Sequence, residues 1–204
     1  MTELPAHKRG DFGNTIYGPA RLRLALRVRD ALNRTGFTWF LDAGTLLGAY
    51  RNGHVIPHDD DFDLAVYIPD FDAARDLPAL QAAVRLGDPY AARIVTSYAH
   101  KVEVFDRHST RFTLPPDYGK ADFHAVTVDL QVMTDASDGD TLYLHDLLTR
   151  VRVPRDCIAP PGEIVCEGER FNCPHDVKGF LEAVYGYLGL DARFDPDSGK
   201  YVRV

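Results

Sequence analysis

Four carboxylates crowd the segment HVIPHDDDFDLAV: Asp59, Asp60, Asp61 and Asp63 fall within five positions and run directly into an apolar stretch. Like charges so close repel, and none is buried cheaply without a partner. On an extended chain side chains alternate between faces, which puts Asp59, Asp61 and Asp63 on one side and Phe62, Leu64 and Val66 on the other. Asp60 falls on the Phe62 side and reads as a bystander. Carboxylates at i and i+2 converge well enough to share a hard divalent cation, Mg²⁺ or Mn²⁺, whose charge would relieve the repulsion. The plainer reading is a solvated acidic loop, weakened here because the run feeds a hydrophobic strand.

A second carboxylate sits alone in AVTVDLQV. Asp129 is costly in such a strand unless paired or metal-bound. If the two strands are neighbours, Asp61, Asp63 and Asp129 form a triad, with Asp129 either completing a metal site or taking a proton from a substrate hydroxyl. Upstream, DAGTLLGAY places Gly44 and Thr45 at a strand-to-helix junction, where backbone N–H groups and the Thr45 hydroxyl are suited to phosphate oxygens. Arg51 follows, its planar fork matching a phosphate or else lying unused on the surface. Asp42 either supports the acidic group or starts the helix. Lys101, Arg107 and Arg111 could reach a bound anion, but ordinary surface charge is the favoured reading.

These residues need elements to hold them. The segment YGPARLRLALRVRDALNRTGF reads as a first helix, with Pro19 in its first turn, Leu22, Ala25, Leu26, Arg29 and Leu32 at helical spacing, and Gly36 as its stop. Its arginines 21, 23, 27 and 29 read as a solvated face. FTWFLDAG predicts a short strand, TLLGAYRNG a short helix closed at Asn52–Gly53, and DFDLAVYI a second strand. Residues 71–86 are helical in composition despite Pro78. ARIVTSYA, KVEVFDR and FHAVTVDLQVM predict strands, the last with Val126, Val128, Leu130 and Val132 on one face. EIVCEGERFNC predicts a hairpin turning at Glu167–Gly168, and HDVKGFLEAVYGYLG a final amphipathic helix. The closing LDARFDPDSGKYVRV reads as a tail. Strands and helices mix without strict alternation, which indicates an α+β domain with a mixed sheet flanked by helices.

The chain has 204 residues, 45% of them hydrophobic and 26% charged, with a formal net charge of -7. That suits one domain, residues 1–204 with its core at about 18–190, large enough to need no disulfide or structural metal. The acidic balance argues against a nucleic-acid partner. No apolar run predicts a transmembrane segment, and MTELPAHKRGDFGNTIYG lacks the apolar region of a secretory signal, so a cytoplasmic location is expected. Cys157, Cys166 and Cys173 show no zinc spacing; Cys166 and Cys173 could meet across the hairpin, but free thiols are the favoured reading.

Strand, Gly-Thr, short helix and then Asp-x-Asp on the next strand is the pattern of the nucleotidyltransferase fold, as in polymerase-beta-like enzymes. More closely, FLDAGTLLGAYRNGHVIPHDDDFDLAV resembles the signature of the LicD/fukutin family. ERFNCPHDVKGFLEAVYG, with Pro174, Leu181, Tyr185 and Gly186, resembles that family's closing element, so the likeness runs from about Phe37 to Gly186. His58 departs from it, standing where the family has Trp. The resemblance implies transfer of a phosphorylated alcohol from a CDP-alcohol donor such as CDP-choline or CDP-ribitol to a hydroxyl of a glycan or small-molecule acceptor. Asp61 and Asp63 match its metal-binding pair, Asp59 the preceding acidic position, and Gly44 and Thr45 the loop before the first helix. Two rivals use the same residues: nucleotidyl transfer from an NTP, and a catalytically silent binding module.

Overall fold

The computed structural model describes residues 13–113, 122–144 and 151–204. In chain order the elements are α1 (Asn14–Leu32), β1 (Thr38–Leu41), α2 (Ala43–Asn52), β2 (Asp63–Tyr67), α3 (Ala73–Ala83), β3 (Tyr90–Val95), β4 (Lys101–Asp106), β5 (Arg111–Thr113), β6 (Asp122–His124) and β7 (Thr127–Asp135). Then come β8 (Thr141–Leu144), β9 (Arg152–Pro154), β10 (Gly162–Cys166), β11 (Glu169–Cys173), α4 (Val177–Tyr185), β12 (Ala192–Asp195) and β13 (Lys200–Arg203). The main sheet runs β1-β2-β7-β4-β3, and β8 and β9 extend it beyond β7. Its strand pairs are antiparallel except β2 and β7, which run parallel with Asp63 opposite Asp129. This is the mixed sheet flanked by helices that the sequence predicts.

The apolar stripe of β7 is fully formed, since Val128, Leu130 and Val132 are buried with Leu64 and Val66 of β2 and Val102 and Val104 of β4. The alternation misleads on the other face, where Thr127 and Asp129 are buried as well. There the helices and the C-terminal segments cover what an isolated strand would expose to water. No helix among the described residues is long and apolar enough to cross a membrane.

Expectations about α1, Arg21 and the closing segment are corrected. Helix α1 begins a full turn before Pro19, which lies inside it. Tertiary hydrogen bonds hold that extra turn, from Thr15 N–H to the Pro57 carbonyl at 3.1 Å and from Asn14 Nδ2 to the Ile56 carbonyl at 3.0 Å. The helix ends at Asn33, not at Gly36. Arg21 is wholly buried, not solvated. The hairpin of β10 and β11 turns at Glu167–Gly168 as expected, but its register sets Cys166 opposite Glu169 and Cys173 opposite Gly162, so the two thiols do not face each other. All three cysteines are free and buried. The closing segment is not a loose tail: β12 and β13 form a hairpin in which Asp195 accepts from the Ser198 hydroxyl at 2.7 Å, and Gly199 supplies the positive φ of 67° at the turn.

Candidate active site

The acidic residues are delivered by a short, heavily tied segment. Strand β1 ends at Leu41, and Asp42 then caps α2 with its N–H bonded to the Asp63 carbonyl at 3.1 Å. The Asp63 N–H donates in return to the Thr45 hydroxyl at 2.9 Å. Gly53, in the left-handed conformation at φ 77°, ends α2 and turns the chain back. Glu167, at the turn of the β10–β11 hairpin, accepts from the Val55 N–H at 2.9 Å and so fixes the start of the return. Arg21 fixes its end, donating from Nη1 to the Asp59 carbonyl at 3.1 Å, to Asn14 Oδ1 at 2.9 Å, and from Nε to the Ala125 carbonyl at 2.8 Å.

Strand β2 starts only at Asp63, so Asp59 and Asp61 lie in irregular backbone. They still converge: one oxygen from each of Asp59, Asp61 and Asp63 lies within 4.8 Å of the others. Asp59 and Asp61 are half-buried and Asp63 is buried. Burial, then the charges of Asp61 and Asp59, then those of Asp129 and Asp42, hold the Asp63 carboxyl well above the usual carboxylate range. The donor set suits a hard divalent cation, which takes oxygen ligands. The backbone makes room for it. A Cβ on Gly44 would stand 2.1 Å from Asp59 Oδ2, so only glycine lets this carboxylate lie against the first turn of α2.

Asp129 lies beside Asp63 in register, and its carboxylate is ion-paired with Lys101. Lys101 also meets Glu103 Oε1 at 3.2 Å, and Glu103 in turn takes Arg93 and the Tyr98 hydroxyl, the latter at 2.9 Å. Burial alone would lower the Lys101 pKa; the charges of Asp129 and Glu103 outweigh it and raise it well above the usual value. Lys101 is therefore buried inside the sheet's polar face, not ordinary surface charge as the sequence suggested. A signal was present: KVEVF puts Lys101 and Glu103 on one face of an alternating strand, opposite two valines.

The other predicted residues are placed as follows. The Thr45 hydroxyl is engaged by β2 backbone, and Asp42 is buried at the head of α2. Arg51 is exposed and donates to the Leu188 carbonyl at 2.8 Å and the Gly189 carbonyl at 3.4 Å, pinning the segment after α4. His58 is exposed on the rim, and Asp60 is half-buried beside it. Arg107 is paired with Asp88 at 3.6 Å, away from the acidic group, and Arg111 lies in β5. Tyr185 was not singled out for the site. It lines the same cleft as the carboxylates, and its phenol is pushed well up by burial and then by Asp63, Asp42, Asp59 and Asp61.

A cleft in two lobes opens here. One, of about 520 Å³, is walled by Asp59, Asp60, Asp61 and Asp63 with His58 and Arg51. The other, of about 600 Å³, runs from Asp42 to the β12–β13 hairpin. They share Ala43, Gln131, Tyr185 and Tyr201.

Comparison with known proteins agrees with this geometry. A family model described as LicD/FKTN/FKRP, nucleotidyltransferase domain, matches residues 36–176. A Caenorhabditis elegans protein, "Uncharacterized protein W02B3.4", is 43% identical over 61 residues, 29% of this chain and 16% of that protein. "Ribitol 5-phosphate transferase FKRP" of mouse and of human are each 39% identical over 55 residues, 27% of this chain and 11% of theirs. The matched segments thus span about a sixth or less of these curated relatives' length.

Proposed function

The chain belongs to the LicD/FKTN/FKRP nucleotidyltransferase-domain family, and on that premise we propose that it is a Mg²⁺- or Mn²⁺-dependent transferase that moves a phosphorylated alcohol from a CDP-alcohol to a hydroxyl of a glycan or related acceptor. The observation that carries the proposal is the convergence of Asp59, Asp61 and Asp63 at the mouth of a cleft. Asp61 and Asp63, with Asp59, would hold the cation. When bound, it polarises the phosphoryl oxygens and offsets charge on the leaving nucleotide. The protein's own groups do the rest. The head of α2, at Ala43 and Gly44, supplies N–H groups without intrahelical partners and a favourable dipole for the diphosphate. Asp129, ion-paired with Lys101 on the strand beside Asp63, supports the cation site from the neighbouring strand. The Thr45 hydroxyl, bonded to the Asp63 N–H, ties the start of β2, and with it Asp63, to the first turn of α2.

The acceptor oxygen forms a new bond to the phosphorus that bears the alcohol, the bond from that phosphorus to the bridging oxygen breaks, CMP leaves with that oxygen, and the acceptor's proton passes to water in the open cleft. Nucleotidyl transfer from CTP would instead attack the phosphorus bearing the nucleoside and release pyrophosphate. Incubating the protein and Mg²⁺ with CDP-ribitol, CDP-choline or CTP, with and without a panel of glycosides, separates the two. CMP released from a CDP-alcohol, and lost with EDTA, is the expected result. Pyrophosphate release, or no Mg²⁺-dependent turnover of any donor, overturns the proposal.

A further inference from the structure

We propose that the lobe between Asp42 and the β12–β13 hairpin is the acceptor site, and that it takes a neutral, saturated, hydroxylated ring. The proposal deepens the functional reading above and rests on it for the word acceptor; the binding site itself stands on the observations that follow.

At about 600 Å³ the lobe has the size of a small-molecule site and holds one or two sugar-sized rings. Its wall is aromatic and angular. The Tyr185 and Tyr201 rings lie 6.4 Å apart at 59°, and those of Phe194 and Tyr201 lie 5.6 Å apart at 70°. A flat base held between two rings needs parallel faces about 7 Å apart, twice the contact distance between carbon atoms. These rings form a corner instead, which suits a puckered ring that presents C–H groups in several directions. Phe194 and Tyr201 are 51% and 41% exposed, an unusual placement for side chains that could have been turned inward.

The polar groups fit hydroxyls rather than an anion. Gln131 offers an amide that both donates and accepts. The Ser198 hydroxyl donates to Asp195 at 2.7 Å, and its oxygen can still accept. Lys200 Nζ donates to the Ala183 carbonyl at 3.0 Å, and Arg152 pairs with Asp138, so both cations lining the lobe are already engaged. Asp42, at the floor, disfavours a phosphate there.

Position completes the case. The two lobes meet at Ala43, Gln131, Tyr185 and Tyr201, beside the acidic group. In-line displacement needs the attacking and leaving oxygens on opposite sides of phosphorus, so a donor seated along the Arg51 and His58 lobe leaves this lobe for the nucleophile. The hairpin that builds its outer wall lies beyond the matched residues 36–176.

The test is saturation-transfer NMR on the full chain without metal or donor. The probes are methyl α-glucoside, methyl β-galactoside, N-acetylglucosamine, N-acetylgalactosamine and myo-inositol, with cytidine and acyclic ribitol for contrast. At least one ring compound should bind, and Phe194→Ala should weaken it roughly fivefold to tenfold. Ser198→Trp, which fills the lobe, should abolish binding, whereas Leu190→Ala in the other lobe should leave it unchanged. Binding by none of the rings, binding indifferent to both Phe194→Ala and Ser198→Trp, or cytidine binding that is lost in those two variants each overturns the proposal. No arm requires turnover. Ring binding with these losses but no Mg²⁺-dependent donor cleavage would fail the transferase reading alone, and donor cleavage without ring binding would fail the lobe alone.

Discussion

Asp63 and Asp129 are the same residue type, buried to nearly the same degree, and opposite each other on adjacent parallel strands. Their electrostatic settings are opposed. Asp129 belongs to an alternating row in which Arg93, Glu103, Lys101 and Asp129 neutralise one another across β3, β4 and β7. Asp63 is dominated by burial and by other carboxylates. The protein thus balances the Asp129 half of its polar sheet face through an alternating row of charges, while burial and neighbouring carboxylates dominate around Asp63.

The contrast is best broken by mutation. Asp61→Asn or Asp63→Asn should lower Mg²⁺-dependent turnover by about a thousandfold or more, since the cation supplies several kcal/mol of charge stabilisation; initial rates of CMP release measure it. Lys101→Met removes the ammonium that sits between the buried Asp129 and Glu103 and should destabilise the fold by about 3–5 kcal/mol, read from urea unfolding. Arg21→Met leaves the Asp59 and Ala125 carbonyls and Asn14 without this donor. It should cost roughly 2–3 kcal/mol and shrink the rise in melting temperature that Mg²⁺ produces.

The smallest effects sharpen the comparison most, because one chemical change on neighbouring strands should have opposite signs. Asp129→Asn should destabilise by about 1–3 kcal/mol, less than loss of Lys101 because Glu103 keeps its contact with the ammonium at 3.2 Å. Asp63→Asn should stabilise the metal-free protein at neutral pH, by roughly 2–4 °C for each kcal/mol of repulsion relieved. The sign follows from linkage. The folded-state pKa of Asp63 is raised, so the folded state binds the extra proton, and its stability falls as pH rises from the unfolded value near 3.9 through the folded value. The advantage of Asp63→Asn should therefore fade as the pH is taken down towards 4 in differential scanning calorimetry. Equal signs for the two variants at pH 7 would remove the distinction between the two carboxylates.

Much of this arrangement is legible in the sequence, for identifiable reasons. The apolar face of β7 and the phase of β2 follow from period-two alternation, and Asn52–Gly53 marks the end of α2 because the left-handed cap requires such a residue. The meeting of Asp59, Asp61 and Asp63 was expected from strand alternation, but it arises largely from ties made by Arg21, Glu167 and Thr45 to backbone remote in sequence. Such bonds leave no local pattern. Arg21 reads as solvated because it sits among other arginines, whereas the fold buries it against the Asp59 and Ala125 carbonyls. The β12–β13 hairpin was missed because two four-residue strands around DPDSG read equally well as an unpaired tail.

The parallel pairing of β2 with β7 also governs when the active centre can exist. A hairpin assembles as soon as its second strand is made, but this pair waits for α3 and the four strands β3 to β6 to be synthesised between its members. Until β7 docks, Asp63 has no neighbour on that side, and β4, which carries Lys101, has not been paired with β7. A nascent chain emerging from the ribosome therefore carries the complete acidic signature well before it carries the sheet that orients it. Competence should appear late in translation and all at once, and a fragment ending after β4 would display the motif without the site.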